Sequence, residues 1–312
     1  MKSSAGRGSK RVPGPLGRAL LRGRPLVLDG AMGTELERRG VDTGLPLWSA
    51  GALLSSPGTV RQIHDDYIDA GADIITSDTF RTTRRTFLRA GLPDRSAELT
   101  SLAVRLARES IAAHPERGAL LAGSIAPLED CYRPDLVPPD DALRGEHIEN
   151  AERLAEAGVD FLLLETMGTA REAVLASEAA AATGLEFVVS FLCKGEGSLY
   201  GGELLRDAVR RVAGAAPSAV SLNCSDPGGM EGNVRILLAA LREIPGTGEV
   251  PVGVYANVGT PGGEHGGGFT RDVGPAVYAE YARSWTRAGA ALIGGCCGTT
   301  PEYIRSLRRI IG

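Results

Sequence analysis

Two of the five cysteines in this chain are neighbours, Cys296 and Cys297 in "GGCCGTTP". Vicinal cysteines close a disulfide only through a strained ring, so the pair points to thiol chemistry other than pairing. With Cys224 in "SLNCS" they could supply three thiolates. Thiolates are soft ligands that suit Zn²⁺, and Zn–S bonds of about 2.3 Å fit a tetrahedron. Successive side chains on a regular strand face opposite ways, so both neighbours reach one ion only if the backbone leaves strand geometry there. Gly294, Gly295 and Gly298 flank the pair and permit that departure. Spacing alone leaves a second reading open, because free cysteine often serves as a small buried hydrophobe. That plainer role suits Cys131 and Cys193 better.

These thiols must be positioned by a framework, and the chain supplies one rhythm. A short apolar run, a glycine-marked turn and an amphipathic stretch recur eight times. The expected strands are 25–31, 72–80, 119–127, 160–167, 186–193, 219–225, 250–258 and 291–298. They lack polar alternation, as parallel strands buried on both faces do. Helical stretches such as "TVRQIHDDYIDAG" and "HIENAERLAEAG" lie between them, several ending in the glycine expected just past a helix C-terminus. Eight such units in 312 residues predict a single-domain (β/α)8 TIM barrel over residues 14–312. A doubly wound sheet would more often carry G-x-G-x-x-G after its first strand, and "DGAMGTEL" does not match. Long loops at 128–146 and 259–274 follow the third and seventh strands, on the face where barrels carry active sites. Asp29 and Gly30, Asp78 and Thr79, Glu165, Cys224, Asn257, and Cys296 with Cys297 all fall at strand ends and so converge on one mouth.

Composition narrows the function classes. A net charge of −4 offers phosphate backbones and acidic lipid no attraction, so nucleic acid and membrane surfaces are not expected partners. No apolar run approaches the roughly 20 residues of a membrane span. An odd number of cysteines without a secretory leader points to a reducing, cytoplasmic setting. Residues 1–13, with four basic and no acidic side chains among Ser and Gly, read as a disordered tail.

Taken together, "LDGAMGTEL", "TSDTFRTT", "LLLETM", "SLNCS", "YANVG" and "GGCCGTTP" resemble the homocysteine S-methyltransferases, a family that includes betaine- and S-methylmethionine-dependent enzymes and the homocysteine module of cobalamin-dependent methionine synthase. The resemblance runs from about Gly14 to the C-terminus. It implies that Cys224, Cys296 and Cys297 bind Zn²⁺ and leave the fourth position to the homocysteine sulfur. Metal coordination deprotonates a thiol that is otherwise mostly protonated at pH 7, so the expected reaction is methyl transfer to homocysteine, forming methionine. It further implies that Asp29, Gly30, Thr79 and Glu165 hold the amino-acid end of homocysteine, Glu165 taking the ammonium and backbone amides near Gly30 the carboxylate. Asn257 is either a weak oxygen ligand or a turn stabiliser.

One departure stands out: Asp78 precedes Thr79 where the family commonly has Asn or Gln, adding a carboxylate that could face a cationic donor. Because the chain stops at Gly312, directly after the eighth helix, a small onium donor entering the same mouth is expected, with S-methylmethionine favoured. Trp48, Phe80 and Tyr132 are the aromatics expected near it. Betaine, a methylcorrinoid partner, or a selenol or other thiol acceptor are the alternatives within this chemistry, and a zinc or thiol sensor is the alternative outside it. Homo-oligomerisation is compatible with each. His64, on a helix, reads as structural, and His265 lies in a glycine-rich loop that could approach the mouth.

Overall fold

In a computed structural model the described residues are 12–259 and 272–312. Most of the predicted tail, and His265 with most of the 259–274 loop, lie outside them. All eight expected strands are present: β1 (Leu26–Val27), β2 (Ile74–Thr76), β3 (Leu120–Ile125), β4 (Phe161–Met167), β5 (Phe187–Phe191), β6 (Ala219–Asn223), β7 (Val252–Ala256) and β8 (Ala290–Gly295). They form one parallel sheet in the order β1-β8-β7-β6-β5-β4-β3-β2. A parallel bridge between Leu28 and Ile74 then joins its two ends and closes the barrel.

The unalternating apolar runs have the expected cause. On β4, Phe161 and Leu163 face the barrel interior, while Leu162 and Leu164 pack outward against the helices. Each strand is followed by a helix, from Pro57–Ala70 after β1 to Pro301–Ile311 after β8, and the one after β5, Leu205–Val212, is short. Gly71, Gly158 and Gly289 end three of these helices with positive φ, the left-handed cap that glycine adopts at least cost.

Three details differ from the sequence reading. The helix after β3 starts at Asp140, inside the segment expected to be loop to 146. Pro139 precedes it, and Asp140 and Asp141 place acidic groups at the positive end of the helix dipole. A small antiparallel hairpin, Cys193–Gly195 with Ser198–Leu199, extends beyond β5. Finally, a short helix at Pro15–Leu20 closes the N-terminal end of the barrel, burying Leu16 among Leu26, Ile74 and Phe161. Glu186, just before β5, accepts the amides of Gly14, Leu16 and Gly17 at 2.9, 2.9 and 3.0 Å and pins this plug in place.

Candidate active site

The opposite end of the barrel opens into a cavity of about 1180 Å³. Cys224, Cys296 and Cys297 line it, with all three Sγ atoms within 4.8 Å of one another. Backbone geometry brings them together. Cys224 leaves β6 with φ 55, a left-handed conformation that L residues adopt at a cost of about 1–3 kcal/mol, and this turns its Sγ toward the mouth. The adjacent pair leaves β8 at Gly295 and turns back at Gly298, whose φ is 82. Gly295 serves a different need from conformational freedom: a Cβ there would lie 2.4 Å from Thr299 Oγ1, so only glycine lets the returning chain approach.

Asn257 ties the two cysteine segments together. Its Nδ2 donates to the Cys224 carbonyl at 2.9 Å, and its Oδ1 accepts the Cys297 amide at 3.1 Å. Both ends of the side chain are thereby engaged, so Asn257 stabilises the turn and is not a ligand in this arrangement. Asn223, at the end of β6, acts in a comparable way on β4. It accepts the Thr166 amide and donates to Thr166 Oγ1, both at 2.9 Å, holding Thr166 at φ 64 near the end of that strand.

The three sulfurs fit a metal. A tetrahedral thiolate set with bonds of about 2.3 Å has S–S edges of roughly 3.8 Å. Cys224 and Cys296 lie 2.7 Å apart, inside that edge, and only a small opening would admit an ion. Cys296 is held well below the usual thiol range by hydrogen bonds from its two cysteine neighbours, so the cluster already favours a thiolate.

The carboxylates surround these sulfurs. Glu165 lines the cavity from β4 and accepts a short hydrogen bond from Ser124 Oγ on β3. Burial, and then Cys296, pushes its pKa up to about 8. Asp29 accepts the Thr76 amide at 2.7 Å and Thr76 Oγ1 at 2.9 Å, and burial raises it to about 7. Asp78 accepts from Ser49 Oγ at 2.6 Å and is raised to about 6, again by burial. Gly30 also lines the cavity, close to Tyr67 and Thr299. Of the expected aromatics, Trp48 stands edge-on to Phe80 at 5.6 Å, and Tyr132 edge-on to Tyr200 at 5.2 Å, all four on the cavity wall.

Thr79 is the correction. It does not line the cavity; its Oγ1 donates to the Ser124 carbonyl at 2.8 Å. Thr76, Ser77 and Asp78 line the cavity instead, and the chain turns away beyond the end of β2 before it reaches Thr79. Cys131 is a second correction: it is only partly buried and lines the cavity, whereas Cys193 is a buried core residue as expected. His64 is fully buried and absent from the wall, with burial lowering its pKa to about 4, in keeping with a structural role. Sequence reasoning missed Ser124, Asn223 and Arg81. Polar residues inside otherwise apolar strands were the available signal for the first two.

Residues 26–311 match the family model described as homocysteine S-methyltransferase. The chain belongs to that family. It is 36% identical over 303 residues to a homocysteine S-methyltransferase of Escherichia coli (strain K12), covering 91% of this chain and 94% of the relative. It is 30% identical to a selenocysteine methyltransferase of Astragalus bisulcatus, covering 93% of each. Among solved structures, the metallated form of the homocysteine methyltransferase MmuM from Escherichia coli superposes with a TM-score of 0.79 at 33% identity, covering 94% of this chain and 98% of that one. Family membership and the thiol cluster agree, since among the described residues Cys224, Cys296 and Cys297 are the one group of three or more Cys, His or acidic side chains close enough to share an ion.

Proposed function

We propose that this protein transfers a methyl group from a small onium donor, S-methylmethionine in preference to betaine, to the thiol of homocysteine, forming methionine. The observation that carries the reading is the three-cysteine cluster set beside Glu165 and Asp29 in one cavity large enough for two small substrates. Cys224, Cys296 and Cys297 would hold Zn²⁺, which when bound supplies the charge that deprotonates the acceptor thiol at neutral pH. Glu165 would accept the acceptor's ammonium, with Ser124 fixing its carboxyl. Asp29, locked by Thr76, lines the same cavity. In the transfer the acceptor sulfur forms the new S–CH₃ bond as the donor's S⁺–CH₃ bond breaks. The bonding pair stays on the donor sulfur, which becomes a neutral thioether. The cavity's role is to hold the two sulfurs in line and keep water from competing.

The 30% identity to a selenocysteine methyltransferase favours one second reading, a selenol acceptor. All five cysteines are free, which fits a reducing, cytoplasmic setting. The test is a kcat/KM comparison of S-methylmethionine, glycine betaine and methyltetrahydrofolate with homocysteine or selenocysteine as acceptor, on zinc-loaded protein. S-Methylmethionine with homocysteine is expected to lead. Preference for betaine would overturn the donor assignment, and preference for selenocysteine the acceptor assignment.

A further inference from the structure

Charged groups near the cavity mostly satisfy one another. Arg85 pairs with Glu129 at 2.9 Å and Glu146 at 2.5 Å, Arg89 pairs with Glu129 at 2.6 Å, and Arg133 pairs with Asp135 at 2.6 Å. Arg81 is different. It lines the cavity, yet among the described residues it makes no hydrogen bond or ion pair, and its Nε is buried without a partner. Its guanidinium lies 5.5 Å from the centre of the Phe80 ring. Three residues earlier, Asp78 is 3% exposed, and its Oδ2 is likewise buried and unpartnered. Neither group satisfies the other.

These residues form one continuous wall. Ser49 bonds Asp78, its neighbour Trp48 meets Phe80, and Phe80 meets Arg81. The wall therefore offers one unmet anion, an aromatic pair and one unmet cation. Leaving Asp78 Oδ2 and Arg81 Nε desolvated and unpaired is costly, and the half-buried Arg81 still opens onto the cavity, so the complement is a ligand carrying both charges. Homocysteine is placed elsewhere: its sulfur must reach the cysteines, and Glu165 and Asp29, the two carboxylates that feel Cys296, lie there. The wall is left for the second substrate.

We propose that Arg81 binds a carboxylate on the methyl donor and so selects donors in which a carboxylate accompanies the onium centre. This rests on the methyl-transfer reading and narrows its donor class. A guanidinium over an aromatic ring can still present N–H groups to a ligand, and its planar fork matches a carboxylate with two parallel hydrogen bonds. The onium group would face Trp48, Phe80 and the Asp78 carboxylate. Selection works in both directions, because a cationic donor without a carboxylate would bring a second positive charge against Arg81.

The test is calorimetric binding to zinc-loaded protein of two matched pairs: S-methylmethionine against its carboxamide, and glycine betaine against tetramethylammonium. Wild type, Arg81→Met and Arg81→Lys are compared, with homocysteine affinity and zinc content measured alongside. Wild type should bind the carboxylate member of at least one pair about tenfold or more tightly. Arg81→Met should remove most of that preference and Arg81→Lys some of it, with homocysteine affinity and zinc content unchanged. Equal affinities within both pairs for the wild type would overturn the proposal without recourse to any variant. So would a preference that survives in Arg81→Met, a loss confined to homocysteine, or no binding by any of the four compounds. Arg81-dependent binding without methyl transfer would uphold this assignment and sink the methyl-transfer reading; transfer with no dependence on Arg81 would do the reverse.

Discussion

Replacing Asn257 by alanine removes both struts between the Cys224 and Cys297 segments in one step. The Cys224 carbonyl and the Cys297 amide, bonded at 2.9 and 3.1 Å, lose their partner in a side chain only 2% exposed. Losing two such bonds, with the groups left behind partly desolvated, costs about 2–3 kcal/mol. The strain at Cys224 adds to the effect, since a carbonyl no longer held lets φ relax from 55 and swings Sγ off the mouth. If the cost falls on the zinc-loaded state, affinity drops roughly 30- to 140-fold at 1.4 kcal/mol per decade, close to the scale on which partners behind metal ligands act. The assay is zinc competition against a chromophoric chelator, paired with a thermal melt of the metal-stripped protein to find any share of the cost that falls on folding. Asn257→Asp separates the two struts: it keeps the acceptor for the Cys297 amide but loses the donor to the Cys224 carbonyl and adds charge beside three thiolates. It should also bind zinc more weakly. Zinc affinity within about threefold of wild type and an unchanged melt for Asn257→Ala would refute the claim that this side chain positions the cysteines.

The reduced protein should bind about one zinc per chain, and Cys224→Ser, Cys296→Ser and Cys297→Ser should each weaken binding and abolish turnover, while folding survives chelation because the barrel core does not include the ion; full activity of metal-stripped protein would contradict this. Glu165→Gln should raise the homocysteine KM by at least about tenfold with zinc content unchanged, and an unaltered KM would remove Glu165 from the acceptor site. Asp78, raised from 3.8 to about 6, favours the folded state when protonated, so its contribution is present below pH 4 and lost as pH rises through 6. Thermal melts of metal-free wild type and Asp78→Asn should therefore diverge between pH 4 and 7 in favour of the variant, by up to about 3 kcal/mol, and parallel pH profiles would show that Asp78 is not held in this way.

The strands were legible because parallel strands in a barrel bury both faces, so each reads as an unbroken apolar run between turn residues. Convergence of the strand ends followed from closure, and most of the expected site residues do meet in one cavity. Thr79 shows the limit. The strand was expected to run to residue 80, whereas β2 stops at Thr76, and the direction of a side chain in the irregular segment beyond it is set by tertiary packing that the local pattern does not encode. The glycines around the cysteine pair were read as conformational freedom, whereas only Gly298 has positive φ and Gly295 is demanded by close approach to Thr299. The hairpin after β5 is written in "CKGEGSLY", too polar and glycine-rich to read as strand. Arg81 was invisible for another reason: its importance lies in what it fails to touch among the described residues, and only the folded arrangement shows that.

The electrostatics of the cavity explain why that absence matters. Asp29, Asp78 and Glu165 are all raised by burial, to about 7, 6 and 8, so each can relieve the cost of an empty site by taking up a proton. A cationic ligand arriving at such a carboxyl favours its ionised form, and binding is then coupled to proton release. The carboxylates are thus adjustable partners, charged when needed and neutral otherwise. A guanidinium carries its charge permanently and has no such recourse. Arg85 and Arg89 meet this constraint with Glu129 and Glu146, but among the described residues Arg81 has only the Phe80 ring. Among the described cations on this wall, Arg81 is therefore the one left without a counter-charge from the protein, which is why the donor's carboxylate, rather than its onium centre, is the feature we propose the wall selects.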